Sequence, residues 1–218
     1  MRSVLPSDEA LTNDGLKPVG RSRVLILACG ALAREILAVI RANGFDHLDL
    51  QCLPAIFHNH PERITPAVRE AVEEARASGY QDIYVAYADC GTGGQLQALT
   101  EELGVEMIAG PHCYAFFEGT EGFVKRSGDE FTAFYLTDFL VRQFDAFVWK
   151  PLGLDRHPEL RDMYFSNYEK LVFQAQTDDP ALTQKAKDCA DKLGLPFERR
   201  FTGYGDLAIE VEKLGRRV

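Results

Sequence analysis

No stretch of this chain approaches the ~18 consecutive apolar residues that a membrane-spanning helix requires. The first twenty residues also lack the basic start and apolar run of a secretory signal; they are polar and end Lys17-Pro18-Val19-Gly20. Basic residues are outnumbered, 24 Lys and Arg against 33 Asp and Glu, for a net charge of −9. A surface of that sign repels phosphate backbones and anionic lipid, so nucleic acid and membrane are excluded as expected partners. Internal repeats, low-complexity segments and Cys-x-x-Cys pairs are all absent. The five cysteines, an odd number with no export signal, point to reduced thiols in a cytoplasm rather than to a disulfide framework. What the chain does have is 218 residues, 46% of them hydrophobic, enough to bury a sizeable core.

The pattern alternates strand and helix from Arg23 onward. Val24 to Ala28 is a short apolar run that reads as a buried strand, stopped by Cys29-Gly30. Ala31 to Ala42 follows with Leu32, Ile36, Val39 and Ile40 at helical spacing, closed by Asn43-Gly44. Further strands are expected over Leu48 to Leu53, Asp82 to Ala88 and Val105 to Ala109, and helices from Thr65-Pro66 to about Gly79 and from Gln95 to Leu103. The second half predicts strands at Phe131 to Leu136, Leu171 to Gln176 and Phe197 to Phe201. Its helices are a Thr137-capped one reaching about Trp149, Pro180 to Leu193, and Leu207 to Leu214. Strands separated by helices imply a layered α/β fold with a mostly parallel sheet flanked by helices, Rossmann-like in its first half. Residues 1–20 read as a flexible extension or an arm. Residues 21–218 read as a single α/β domain in which two subdomains could meet near 115–130.

Parallel sheets place their sites at the carboxyl ends of strands, beside helix N-termini. Those ends carry Cys29, Cys90 and Cys113, with His58 and His60 after the second strand and His112 before Cys113. A thiol at a helix N-terminus meets unpaired N–H groups, which favours the thiolate that binds metal or attacks an electrophile. Three thiolates suit zinc with an open or histidine-filled fourth position, and equally three irons of an iron–sulfur cluster. The competing reading makes the same cysteines small buried hydrophobes under tight turns, as expected for Cys52 and Cys189 inside a strand and a helix. The turn Asp89-Cys90-Gly91-Thr92-Gly93-Gly94 offers an anion nest built on Gly91, Thr92 and Gly93, although it lacks the Lys and the spacing of a P-loop. Phe116 and Phe117 read as core, Thr137 as a cap, and Asp138 as a carboxylate within reach of the site.

Cys29-Gly30-Ala31-Leu32 with Glu35-Ile36, His58-Asn59-His60-Pro61, Cys90-Gly91-Thr92-Gly93, His112-Cys113 and Tyr135-Leu136-Thr137 occur in that order. His157-Pro158-Glu159-Leu160 with Asn167-Tyr168, and Gly203-Tyr204-Gly205-Asp206, follow. The ordered set resembles domain-of-unknown-function family 1638, over about residues 23 to 214. The resemblance brings no reaction with it; it implies a setting of corrinoid-dependent methyl transfer from methylamines and betaines, with a corrinoid or methyltransferase protein as partner. Three functions are therefore expected to compete. The first is a metal-binding protein, holding zinc or iron, that serves methyl transfer or upkeep of a cofactor. The second is a non-catalytic module for a small anionic ligand, and the third a thiol redox protein.

Overall fold

The computed structural model describes residues 6–20, 24–127 and 132–217. Arg23 and Phe131, at which two of the expected segments begin, lie outside the described residues. The chain divides into two compact units, Met1–Phe116 with Asp206–Val218, and Phe117–Gly205.

The first unit is built on β1 (Val24–Cys29), β2 (Leu48–Leu53), β3 (Asp82–Ala86) and β4 (Glu106–Met107), in the order β2-β1-β3-β4 with every pair parallel. The interior strand β1 is buried along its whole length, as an unbroken apolar run requires when helices cover both faces of a sheet. Its register sets Ala28 level with Cys52 on one side and with Ala86 on the other. The covering helices are α2 (Ala33–Asn43), α3 (Ile64–Ala77) and α4 (Gln95–Leu103). In α3, Ile64, Val68, Ala71, Val72 and Ala75 form the buried stripe, at the 3.6-residue period of an amphipathic helix. Helix α2 begins later than its sequence suggests, because Gly30–Leu32 forms a tighter 3-10 turn first.

Where the sequence reads an N-terminal extension, residues 6–20 lie on this unit. Helix α1 (Asp8–Asn13) buries Leu11 against the turns that follow β1 and β2. Arg34 holds Asp8 at 2.7 Å, and Leu16 exchanges backbone hydrogen bonds with Cys52, 2.8 Å each way. Gly30 allows this close approach: a Cβ there would fall on the Leu11 carbonyl oxygen. Helix α10 (Gly205–Gly215) closes the unit, with the Gly215 carbonyl 3.0 Å from His47 Nε2 and Arg217 clamped on both oxygens of Glu106.

The short helices α5 (Ala115–Glu118) and α6 (Thr120–Ser127) come between the two sheets in sequence. The second unit carries β5 (Ala133–Thr137), β6 (Lys170–Ala175) and β7 (Phe197–Phe201), all parallel in the order β5-β6-β7. Thr137 caps α7 (Asp138–Arg142), its hydroxyl accepting from Leu140 N–H. Beyond α7 the expected single helix gives way to a wide π-type turn over Asp145–Trp149, in which Lys150 N–H reaches back five residues to the Asp145 carbonyl. The five-residue α8 (Arg161–Phe165) leads into β6. Helix α9 (Pro180–Leu193) shows the signals its sequence announces: Asp179 accepts two backbone N–H groups at its start, Pro180 sits in the first turn, and Gly194 ends it in the left-handed conformation.

Candidate functional site

The carboxyl edge of the first sheet gathers the cysteines. Cys29 ends β1. Cys90 stands four residues beyond the end of β3, and Cys113 follows the loop after β4. Regular pairing of β4 stops at Met107, but the two connections stay stitched: Ile108 N–H donates to the Val85 carbonyl, and Asp89 and Cys90 N–H donate to the carbonyls of Gly110 and Pro111. That ladder carries Cys113 to Cys90. Their sulfurs are 3.1 Å apart, both side chains half-buried and both thiols unlinked. Cys90 is bent into place with φ at +47°, left-handed backbone that among the described residues no other non-glycine adopts.

The two thiols titrate as a coupled pair. The hydrogen bond from the Cys113 thiol, helped by backbone N–H groups, favours a thiolate on Cys90 and lowers its pKa. Cys113 moves the opposite way, because that bond and its burial both hold its proton. Cys29 corrects an expectation. It does stand at the start of the 3-10 turn, yet burial pushes its thiol up to about 12 and outweighs the hydrogen bond from Ala31 N–H. Cys90 is not a helix cap either; that place belongs to Gly94, so its acidity comes from Cys113 and not from a helix terminus. Cys52 and Cys189 are buried, as expected of core cysteines.

The histidines divide. His58 and His112 lie within electrostatic reach of one another. The crowding of neighbouring atoms lowers the pKa of both, and for His58 the second ring adds to it. His112 stacks on Tyr114 with ring centres 4.9 Å apart. His60 turns outward to Glu62, 3.5 Å away.

The glycine-rich turn holds an anion of its own. Asp89 accepts from Thr92 Oγ1 at 2.9 Å, from Gly94 N–H at 2.6 Å and from Gly93 N–H at 3.3 Å. These donors, Gly94 N–H first, keep its carboxyl below the usual carboxylate range. Gly91 and Gly93 supply the positive φ that wraps the turn around the carboxylate. The amides a bound phosphate would use are thus already engaged. Asp138, in the second unit, directs its carboxylate to Gln176 N–H, Thr177 N–H and the Thr177 hydroxyl. Phe116 and Phe117 are buried.

Sequence reasoning missed Tyr87. It follows β3 and is 1% exposed, and its ring reaches the neighbourhood of Cys29, Cys52, Cys90 and Cys113. An aromatic at the end of an apolar run reads as ordinary core; only its register beside Cys29 would have marked it. Among the described residues no group of three or more His, Cys, Asp or Glu stands ready-formed around a metal position.

Fold and site together define a parallel α/β protein with a thiol pair, and a third cysteine nearby, at its strand ends. The family model described as a protein of unknown function (DUF1638) matches residues 52–209, and the chain belongs to that family. The match takes in Cys90, Cys113 and the three histidines and begins after Cys29. No curated protein and no solved structure matches the chain.

Proposed function

We propose that this protein is a thiolate metal-binding protein in which Cys29, Cys90 and Cys113 hold a soft cation, zinc or the iron of an iron–sulfur cluster, with His58 or His112 beside the fourth position. The observation that carries this reading is the Cys90–Cys113 pair, two unlinked sulfurs 3.1 Å apart with Cys29 within electrostatic reach of both. Tetrahedral zinc with Zn–S bonds of about 2.3 Å sets two sulfurs about 3.8 Å apart. Taking zinc therefore asks the pair to open by well under an ångström and Cys29 to join it. A cation also relieves the crowding of the three neighbouring thiols by displacing their protons. The tie to corrinoid-linked methyl transfer, or to upkeep of such a cofactor, rests on family resemblance. In that role the bound metal would supply Lewis acidity to a thiol acceptor.

Comparison of cysteine variants tests the assignment. Cys90→Ala should lose most of the metal that the anaerobically purified wild type carries, and Cys189→Ala should keep it. Equal metal in the two variants would overturn the site. A second reading, a dithiol redox pair, is favoured by the opposed shifts of Cys90 and Cys113. It calls instead for a metal-free protein whose Cys90 and Cys113 close to a disulfide with an oxidised thiol reagent.

A further inference from the structure

On the reading of the cysteine site as a metal centre, we infer that Tyr87 is a positioning residue, its hydroxyl donating a hydrogen bond to the Cys29 thiolate once the metal is bound. The parallel register brings it near: Ala28 pairs with Ala86 in the last rung between β1 and β3, Cys29 ends β1, and Tyr87 is the first residue past β3. Tyr87 is 1% exposed, and its hydroxyl meets no hydrogen-bond partner of normal geometry, although it lies beside Cys29 with Cys52, Cys90 and Cys113 near.

Folded proteins leave few buried polar atoms unpaired, and each one asks what partner is missing. The hydroxyl can donate, so the missing partner is an acceptor. A neutral thiol accepts weakly, whereas a thiolate accepts strongly. The sulfurs of Cys90 and Cys113 face one another, and of the two that remain, Cys29 and Cys52, Cys29 is the one that the Tyr87 hydroxyl acts on. Metal binding replaces the thiol proton, and the same event that loads the site creates the acceptor that Tyr87 lacks. Donors of this kind orient metal ligands and tune the metal, and their loss lowers metal affinity roughly 10- to 100-fold.

Cobalt(II) titration of metal-free wild type and Tyr87→Phe, made anaerobically, tests this, because the substitution removes one oxygen and keeps the ring. We expect both proteins to bind one equivalent. The variant should bind roughly 10- to 100-fold more weakly, with a displaced thiolate-to-cobalt charge-transfer band. The metal-free variant should melt no lower than wild type, since it loses an unpaired buried hydroxyl. Equal affinity and an unchanged band would overturn the role of Tyr87 and leave the metal reading standing. A lower melting temperature of the metal-free variant would show a hydroxyl already bonded within the fold, and would overturn it as well. Wild type that takes up no cobalt would overturn the metal reading and this inference together.

Discussion

Cys90 and Cys113 come from different strand ends, yet their sulfurs stand 3.1 Å apart, too far for the ~2.05 Å bond of a disulfide and close enough to share a proton. This relationship gives the two thiols opposite tendencies, Cys90 toward thiolate and Cys113 toward thiol.

Reactivity should follow from it. In metal-free protein a small alkylating reagent should modify Cys90 with a rate–pH midpoint below the ~8.5 of a free cysteine. Cys29, its thiol pushed up to about 12 by burial, should stay unmodified through pH 10. Cys113→Ala should raise the Cys90 midpoint, because it removes the donor. Mass mapping across pH reads all three, and a Cys29 that titrates before Cys90 would contradict the assignment.

The Asp89 turn predicts a pH-dependent stability. Asp89→Ala removes the acceptor of three donors, comparable to losing a helix cap at about 1 kcal/mol. In a chain of this size that lowers the melting temperature by roughly 2–4 °C. The folded pKa of Asp89 lies below its ordinary value of 3.8. Its contribution is therefore complete above that value and is lost as pH falls through the folded pKa. The gap between variant and wild type should stand at pH 7 and close as acid protonates the carboxylate. A gap unchanged in acid would show that the carboxylate charge is not what holds the turn.

Much of this arrangement was legible in the sequence, and the reasons are local. The apolar run of β1 sits between turn signals, Asp179-Pro180 and Gly194 bracket α9, and Thr137 is a hydroxyl placed to cap α7. Alternating strands and helices then force parallel pairing, which alone puts Cys29, Cys90 and Cys113 at one sheet edge. What stayed hidden depended on three-dimensional context. Helix-terminus electrostatics argue for an acidic Cys29, but the depth of its burial reverses the sign. Asp89 looks like a loop residue until the chain wraps its glycine amides around it. Helix α1 is mostly polar, and its anchors, the seating of Leu11 against the turn at Gly30 and the Asp8–Arg34 ion pair, are contacts distant in sequence.

That seating can be tested at Gly30. Gly30→Ala would drive a methyl group onto the Leu11 carbonyl, with the Leu53 carbonyl and Ala55 N–H close behind. All three are backbone atoms, so no side chain can swing clear. The expected cost is about 1–3 kcal/mol, seen as a lower urea midpoint with an unchanged slope. An unchanged midpoint would mean that α1 is not held as described.

In the second unit, Asp138 should prove structural. Its buried carboxylate satisfies two backbone N–H groups and a hydroxyl. Asp138→Ala leaves these without an acceptor and should cost roughly 2–4 kcal/mol by denaturant unfolding. Asp138→Asn, which keeps one acceptor oxygen, should cost less. Equal costs for the two would contradict the hydrogen-bond account.

The central claim is that the three strand-end cysteines form a metal centre, and metal analysis of the anaerobically purified full chain tests it most directly. The account predicts zinc or iron in stoichiometric amount, released when the thiols are blocked. Protein that is metal-free as purified, takes up neither ion, and melts at the same temperature with and without them would contradict it.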